Sequence, residues 1–256
     1  MEKEDLNNSL LSLVSVLLNE EHVFGPPYWF GGVETDDKII GCGIHARPDG
    51  MLLTEVPDVA LPYMIESLGS LGNGLRRVYG PVKTVKMFAD LWCEKFNVAR
   101  QLQSRWHIYR VSQLNPQLTN AQGHLRPGEN SDLGLVREWG HAYGKERPAP
   151  LDVADFMSRK LESGDLYIWE DGIPMTLLTL SGRTDHGIRI SAVYTPPEYR
   201  GHGYASAAVT AVSQSMLDAG DVQWITLSAE IDDPAERIYK RLGYDIIGNR
   251  ACYTFD

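Results

Sequence analysis

Apolar positions along the chain alternate between two periods, near 3.6 residues for helices and near 2 for strands. Leu10, Leu13, Val14 and Leu17 recur on one side of the segment from about Asp5 to Glu21, which predicts an amphipathic helix. Gly25-Pro26-Pro27 ends it. Trp29 to Val33 and Lys38 to His45 flank an acidic turn at Asp36-Asp37, the pattern of strand, turn and strand. Arg47-Pro48-Asp49-Gly50 reads as a further turn, followed by a short strand near Met51 to Val56. Leu61 to Leu71 and Val82 to Phe96 carry the helical period, with Gly80-Pro81 between them and Pro81 suited to a first turn. Ser104 to Val111 reads as a strand.

Polarity rises from Ser112 to Asn130, where Asn115-Pro116, Asn120 and Gly123 cluster as in a linker. This puts the expected domain boundary near residue 115, giving domains 1–115 and 116–256. Beyond it the pattern restarts. Asp132 to Tyr143 and Asp152 to Leu161 predict helices, the second capped by Asp152. Leu166 to Trp169 and Met175 to Leu180 flank Asp171-Gly172 as a hairpin, with Pro174 weakening the start of its second strand. Gly187 to Thr195 is a third strand. Tyr204 to Ala219 is a helix with Ala205, Ala208, Val209, Val212 and Met216 on one side and Gly220 at its end. Val222 to Ala229 is a strand, Pro234 to Leu242 a helix stopped by Gly243, and Asp245 to Asn249 and Ala251 to Phe255 two closing strands. The two halves share a helix–hairpin–helix–strand order, which suggests duplication, although residue identity between them is weak.

Composition narrows the function classes. At 256 residues, 43% hydrophobic and 23% charged, the chain can bury a sizeable core in one large domain or two modest ones. A net charge of -10 argues against a nucleic-acid surface, which usually needs a basic patch. Residues 119–256 hold 13 basic and 20 acidic side chains, so phosphate binding in that half calls for backbone donors. Cys42, Cys93 and Cys252 form no CxxC pair and are odd in number, which fits free thiols in a reducing cytosol. The acidic opening Met1-Glu2-Lys3-Glu4-Asp5 is unlike a secretory signal, and the apolar run Leu10 to Leu18 is too short to span a membrane. The expectation is a cytoplasmic protein with neither membrane nor nucleic-acid partners. The seven histidines show no metal-ligand spacing, and no Gly-x-Ser-x-Gly elbow or Walker sequence occurs, so no metal site is expected. The six tryptophans are scattered, which suits core or cleft lining rather than a base-stacking platform.

The densest chemistry lies in Val193-Tyr194-Thr195-Pro196-Pro197-Glu198-Tyr199-Arg200-Gly201-His202-Gly203-Tyr204-Ala205. It reads as a strand, a proline-marked bend, a glycine-flanked turn and a helix start. Two glycines one residue apart leave the N–H groups of the turn uncovered, and the helix adds its own unpaired amides and the positive end of its dipole. That is an anion site suited to a pyrophosphate. A Gly-x-Gly turn alone is equally a plain strand-to-helix connection. Arg200-x-x-Gly203-x-Ala205, led in by Pro197-Glu198-Tyr199-Arg200-Gly201, resembles the GNAT superfamily of acyl-CoA-dependent N-acetyltransferases. The resemblance implies that the turn from Arg200 and Gly201 through His202, Gly203, Tyr204 and Ala205 to Ser206 holds the CoA pyrophosphate. It implies too that Val193, Tyr194 and Thr195 lend backbone groups to the pantetheine arm.

A second segment, Asp232-Asp233-Pro234-Ala235-Glu236-Arg237-Ile238-Tyr239-Lys240-Arg241-Leu242-Gly243-Tyr244, is similar to the family's Asn-Pro-x-x-x-x-(Leu/Ile)-Tyr-x-x-x-Gly-(Phe/Tyr). Ile238-Tyr239 and Gly243-Tyr244 match. Asp232 stands as helix cap and cofactor contact where the family has Asn, and the proline falls one residue late. A phenol is protonated at neutral pH, so Tyr239 can donate a proton to a leaving thiolate. By resemblance Tyr239 occupies the general-acid position; without the turn it would read as a core tyrosine. For the general base, Glu230 at the strand end and Glu198 at the bend are both candidates, as is a water chain, and each carboxylate reads equally as a solvated surface group.

The resemblance implies an α/β fold built on a mixed α+β sheet, in two GNAT-like domains, each a central, mostly antiparallel twisted sheet flanked by helices. The first half has no Arg/Gln-x-x-Gly-x-Gly/Ala; Gly72-Asn73-Gly74 comes nearest but follows a helix pattern. The whole chain then resembles two-domain GNAT proteins with a degenerate first half. The implied reaction is direct attack of a primary amine, on a small molecule or peptide, upon acetyl-CoA. A homodimer is compatible with this reading. A non-catalytic acyl-CoA sensor, and a nucleotide-binding module of another fold, are the alternatives.

Overall fold

The computed structural model describes residues 29–36, 38–46, 50–69, 74–115, 121–147 and 152–256. The expected helix from Asp5 to Glu21, the Gly25-Pro26-Pro27 stop and much of the turns at 36–37, 47–50 and 72–74 lie outside them. In chain order the elements are β1 (Trp29–Thr35), β2 (Lys38–Ala46), β3 (Gly50–Leu53), α1 (Leu61–Ser67), β4 (Arg77–Pro81), α2 (Val82–Phe96), β5 (Arg100–Val111) and β6 (His124–Pro127). They continue as α3 (Leu133–Glu146), α4 (Val153–Glu162), β7 (Leu166–Asp171), β8 (Ile173–Ser181), β9 (Gly187–Tyr194), α5 (Tyr204–Asp218), β10 (Trp224–Glu230), α6 (Ala235–Leu242) and β11 (Asp245–Phe255). The fold is α/β on mixed sheet, as the sequence predicts.

The chain divides into two compact units, one of residues 1–108, 228–233 and 246–256 and the other of residues 109–227 and 234–245. The first change of unit is at Ile108 and Tyr109. Two C-terminal segments nevertheless group with the first unit. The reason is strand pairing: β11 runs antiparallel to β4, with Ala251 opposite Gly80 and Tyr253 opposite Val78. Nothing in a strand's own pattern names the strand it will join. The two closing strands expected after Asp245 are one continuous strand, because Gly248 adopts no left-handed conformation and nothing turns the chain there.

In the first unit the sheet order is β1-β2-β3-β4-β11-β5. The first three strands form an antiparallel meander, and β3 and β4 are parallel, with α1 in the connection between them. Leu61, Met64 and Ile65 of α1 and Val85, Phe88, Ala89 and Trp92 of α2 share one core with Met51, Leu53, Val78 and Phe255 of the strands. α2 is the helix predicted at Val82 to Phe96. It ends at Asn97, which takes the left-handed conformation at φ 53°. Gly80-Pro81, which reads as punctuation in the sequence, closes the five-residue strand β4.

In the second unit the order is β10-β9-β8-β7-β6. β6 to β9 are antiparallel, whereas β9 and β10 are parallel and α5 crosses between them. β6 lies in the polar stretch that reads as linker. β8 is buried at every position from Met175 to Leu180, so both its faces are covered. Leu177 belongs to the layer of α3 and α4, packed with Val136, Trp139, Val153, Met157, Leu161 and Tyr194. These two helices cross closely at Gly140, where a Cβ would come within 2.5 Å of the Ala154 Cα. Asp152 caps α4 as predicted, its carboxylate accepting from the N–H groups of Ala154 and Asp155 at 2.9 and 3.1 Å.

A partly buried ion cluster ties β6 and β7 to the start of α3. Arg126 on β6 donates to both carboxylate oxygens of Asp132 at 2.7 and 2.9 Å and to Glu170 of β7 at 2.6 Å. Asp132 also accepts from the Glu129 N–H at 2.8 Å. The Arg126 guanidinium is the main reason that the Asp132 carboxyl is held below its ordinary range. A group held down in this way stabilises the fold above its unfolded value, near pH 4, and that contribution is lost as the pH falls through the folded value. Asp132→Asn should therefore cost about 2–4 kcal/mol at neutral pH. In urea unfolding, the gap between wild type and variant should close on acidification below about pH 4. A gap that stays constant down to low pH would show that the Asp132 charge contributes nothing.

Candidate active site

The site is built on β9 and the turn that follows it. β9 pairs with β10 at Gly187, Ile188 and Arg189, opposite Trp224, Ile225 and Thr226. Beyond Arg189 the recorded ladder partner of β9 is β8 alone. On that side the register slips: Leu177 faces Tyr194, but Thr179 faces Ser191, so β9 carries one extra residue. Ala192 takes it up at φ 47°, a left-handed conformation that costs an ordinary residue about 1–2 kcal/mol. Nothing in the residue pattern signals this bulge, since alanine has none of the glycine signal that marks such positions. At the last paired position of β10, the Thr226 hydroxyl oxygen is buried without a hydrogen-bond partner.

The predicted pantetheine strand has a firmly held side-chain layer. The Tyr194 ring is buried against Trp139 and Tyr143, both edge-on at 6.0 Å between centroids. What Tyr194 can offer a ligand is therefore main chain. Thr195 shares a 2.6 Å hydroxyl–hydroxyl hydrogen bond with Thr176 of β8, and its carbonyl accepts from Arg200 Nε at 2.9 Å. Val193, which precedes them, is half-buried.

After a short 3-10 turn at Pro197–Tyr199, Gly201 and Gly203 adopt φ of 82° and 86°. Both are left-handed, and both are glycine because a Cβ would be strained there. The first bond of the α5 ladder runs from Ala207 N–H to the Gly203 carbonyl at 2.9 Å. The amides of Tyr204, Ala205 and Ser206 precede that bond, and no side chain caps the helix. A Cβ placed on Gly201 would meet nothing within 4 Å, so the space over the turn is open. Bare amides, a helix dipole and open space fit a pyrophosphate, and the β9 main chain beyond its paired stretch fits an extended amide-bearing arm.

The side chains of the turn are more committed than the sequence suggests. Arg200 makes two hydrogen bonds to the Glu146 carboxylate, at 2.7 and 2.8 Å, besides its bond to Thr195, and lies 5.9 Å from the Tyr194 ring centre. Its visible work is to fasten the turn to the end of α3 and to β9. His202 is exposed, its Nδ1 3.3 Å from the Tyr199 carbonyl and its ring stacked on Tyr204. The Tyr204 hydroxyl donates to Asp171 at 3.1 Å, which raises its pKa.

Tyr239 lies on α6 and is buried, 7% exposed, with Tyr109 and Tyr244 ring centres at 5.7 and 6.0 Å. α6 ends as predicted at Gly243, φ 95°, with Tyr244 N–H donating to the Tyr239 carbonyl at 3.0 Å. Its start differs from expectation. Pro234 is the residue before the first turn, no side chain caps it, and Asp232 sits at φ 72° in the preceding turn. Asp232 thus does not cap α6, because the late proline starts the helix further along. Glu230 ends β10, and both it and Asp232 are exposed in the segment that groups with the first unit. Glu198 is exposed on the 3-10 turn. Sequence reasoning missed Tyr109 and Glu236, which bond to each other beside Tyr239. Among the described residues no group of three His, Cys, Asp or Glu side chains gathers as metal ligands, and no helix is long and apolar enough to cross a membrane.

The geometry has known counterparts. The FR47-like protein family model matches residues 176–253, the stretch from β8 through the turn and α6 into β11. No curated protein matches the chain in sequence. A GCN5-related N-acetyltransferase from Kribbella flavida superposes with a TM-score of 0.61 at 15% identity, covering 95% of this chain and 94% of that one. A GNAT-family acetyltransferase from Colwellia psychrerythraea gives 0.57 at 12% identity, covering 96% and 97%. A tandem GNAT protein from the clavulanic acid biosynthesis pathway gives 0.50 at 9% identity, covering 99% and 95%. At such identities the likeness establishes the fold, which is that of GNAT acetyltransferases, and together with the family match it supports the superfamily anticipated from Arg200 to Ala205.

The two kinds of glycine in this unit make opposite predictions. Gly203→Ala should destabilise the protein by about 1–2 kcal/mol through its positive φ alone, since the nearest atom to a new Cβ is 3.8 Å away. Gly134→Ala, in the first turn of α3 with nothing within 4 Å and no left-handed φ, should stabilise by roughly 0.4–1 kcal/mol. Denaturant unfolding of both variants reads the difference. Equal and opposite signs are not required, but a Gly203→Ala protein as stable as wild type would remove the case for a glycine-specific turn.

Proposed function

We propose that the chain is an N-acetyltransferase that uses acetyl-CoA, with its cofactor site in the second unit. The observation that carries this reading is the uncapped start of α5 behind two left-handed glycines, set at the end of a bulged strand. In this reading the amides from Gly201 to Ser206 hold the pyrophosphate, and Val193 to Thr195 align the pantetheine arm through main-chain groups. Acetyl-CoA supplies an activated acyl group as a thioester, and a primary amine on a small molecule or peptide is the acceptor. The amine attacks directly while both substrates are bound, so proximity supplies much of the rate. Tyr239 holds on its Oη the proton that the departing sulfur requires. Glu230, Glu198 or a water chain relieves the ammonium of its proton. The first half is proposed to be a degenerate GNAT-like repeat, 1–115, beside a catalytic domain, 116–256. The likeness to a tandem GNAT protein supports this arrangement. A cytoplasmic location is part of the same proposal.

One observation favours the sensor reading instead: Tyr239 is 7% exposed, less than a proton donor would need on meeting its substrate. Two measurements separate the readings. Titration calorimetry with CoA and acetyl-CoA should register binding, and thiol release in the presence of polyamines, aminoglycosides, amino acids and peptides should find an acceptor. Tyr239→Phe should then lower kcat by about 10²-fold or more while the affinity for CoA stays within about twofold. Binding without thiol release across the panel would make the chain a sensor. Absence of heat with either ligand would end both readings.

A further inference from the structure

Gly201 and Gly203 give the turn its shape, but they have no side chains with which to hold it, and glycine loses the most backbone freedom on folding. His202 between them is exposed, and its ring stacks on Tyr204 of the same turn. The side-chain ties from the turn to other elements of the unit lie at its two ends.

Before the glycines stands Arg200. Its Nε donates to the Thr195 carbonyl at 2.9 Å, which closes the bend that contains Pro196 and Pro197. Its Nη2 donates to both oxygens of Glu146, at 2.7 and 2.8 Å. After the glycines stands Tyr204, the first residue of α5, whose hydroxyl donates to Asp171 at 3.1 Å. Glu146 is the last residue of α3 and Asp171 the last of β7. Two carboxylates thus reach the turn from two separate elements, one on the residue before the glycine pair and one on the residue after it.

Stability gives little reason for Glu146 to be there. The last position of a helix is the unfavourable end of the dipole for a carboxylate. The Arg200 and Glu146 side chains are 47% and 39% exposed, and ion pairs so open to water add little to the stability of a fold. What charge-assisted bonds to a guanidinium do supply is direction, and here they direct the residue that leads into the first left-handed glycine.

We propose that Glu146 and Asp171 are positioning residues for the cofactor: by pinning Arg200 and Tyr204 they hold the amides between them in the receiving arrangement before the diphosphate arrives. The proposal rests on the reading of this turn as the CoA site. Neither carboxylate touches the ligand; Glu146 acts through Arg200 and Asp171 through Tyr204. A loop anchored in advance gives up less freedom on binding, so the effect falls on affinity and not on the chemical step.

The test begins without ligand. The amides of Tyr199, Arg200 and Ala207 are hydrogen-bonded within the turn, to the carbonyls of Pro196, Pro197 and Gly203. Their hydrogen exchange is followed in the full chain for wild type, Glu146→Ala, Asp171→Ala and the double variant. Exchange at these three amides should quicken by about tenfold in each single variant and further in the double, while the buried strand β8 keeps its rates. Urea midpoints should stay close to wild type, as expected of exposed ties. Titration calorimetry with CoA should then show Kd raised by about fivefold to tenfold in each single variant. Glu146→Gln, which keeps an oxygen for Arg200 to donate to, should recover part of the loss and serves if the alanine variant folds poorly. Where an acceptor has been found, KM for acetyl-CoA should rise in the same variants with kcat unchanged. Exchange at wild-type rates in both single variants would overturn the proposal, and so would quickened exchange with an unchanged affinity for CoA. Quickened exchange in a protein whose wild type takes up no CoA upholds the two ties and removes only the reading of the ligand.

Discussion

A helix that starts without a side-chain cap leaves its first amides to whatever else can accept from them. A serine, threonine, aspartate or asparagine cap is worth about 0.5–2 kcal/mol over alanine but only a few tenths over glycine. The chain instead places Gly203 there, after a second left-handed glycine two residues earlier. Those glycines also lose more backbone freedom on folding than any other residue would. Both terms run against stability, and the first N–H groups stay without a side-chain cap in front of a dipole worth roughly half a positive charge. Much of the second unit can be understood as support for this exposed turn. Arg200 ties it to Thr195 and Glu146, the Tyr194 ring locks β9 against α3, and β8 is buried on both faces behind them.

The bulge at Ala192 belongs to the same arrangement. A regular β9 would keep one register with β8 throughout; the extra residue instead redirects its last few positions. Its ladder with β10 is recorded only from Gly187 to Arg189, so the main chain of Val193 to Thr195 is available where the turn begins. The left-handed alanine is strained, and strain of this kind persists only where the surroundings over-determine it. Here β8 on one side and the aromatic grip on Tyr194 on the other do so. Strand and turn are continuous: β9 stays paired with β8 as far as Tyr194, and the turn follows within a few residues.

The sequence made the second unit legible because its punctuation is local. Asp152, Gly203, Gly220 and Gly243 each mark a helix end by a mechanism that needs only near neighbours. The turn at Arg200 to Ala205 was legible for the same reason, since positive φ at two positions demands glycine. What was missed depends on distant partners. β4 and β6 are short strands in polar or proline-bearing stretches, identifiable only once β11 and β7 lie beside them. The pairing of β11 with β4 links residues about 170 positions apart in the chain, and a strand's own alternation does not encode its neighbour. Asp232 was misjudged as a cap because the helix start follows Pro234. Glu236 escaped notice because a glutamate at that spacing reads as a solvated face until Tyr109 is found against it.

The Arg200 side chain is already engaged, so what this turn can offer an anion is chiefly backbone N–H groups. The half of the chain that holds the turn is acidic overall, and Glu146 and Asp171 stand close to it, one engaging Arg200 and the other Tyr204. The one guanidinium of the turn is thus already matched by a carboxylate. A cluster of mobile lysines would attract any polyanion, and its attraction would fade with salt. Amides fixed by two left-handed glycines behave differently, since they reward only an acceptor whose oxygens fall where the N–H groups converge.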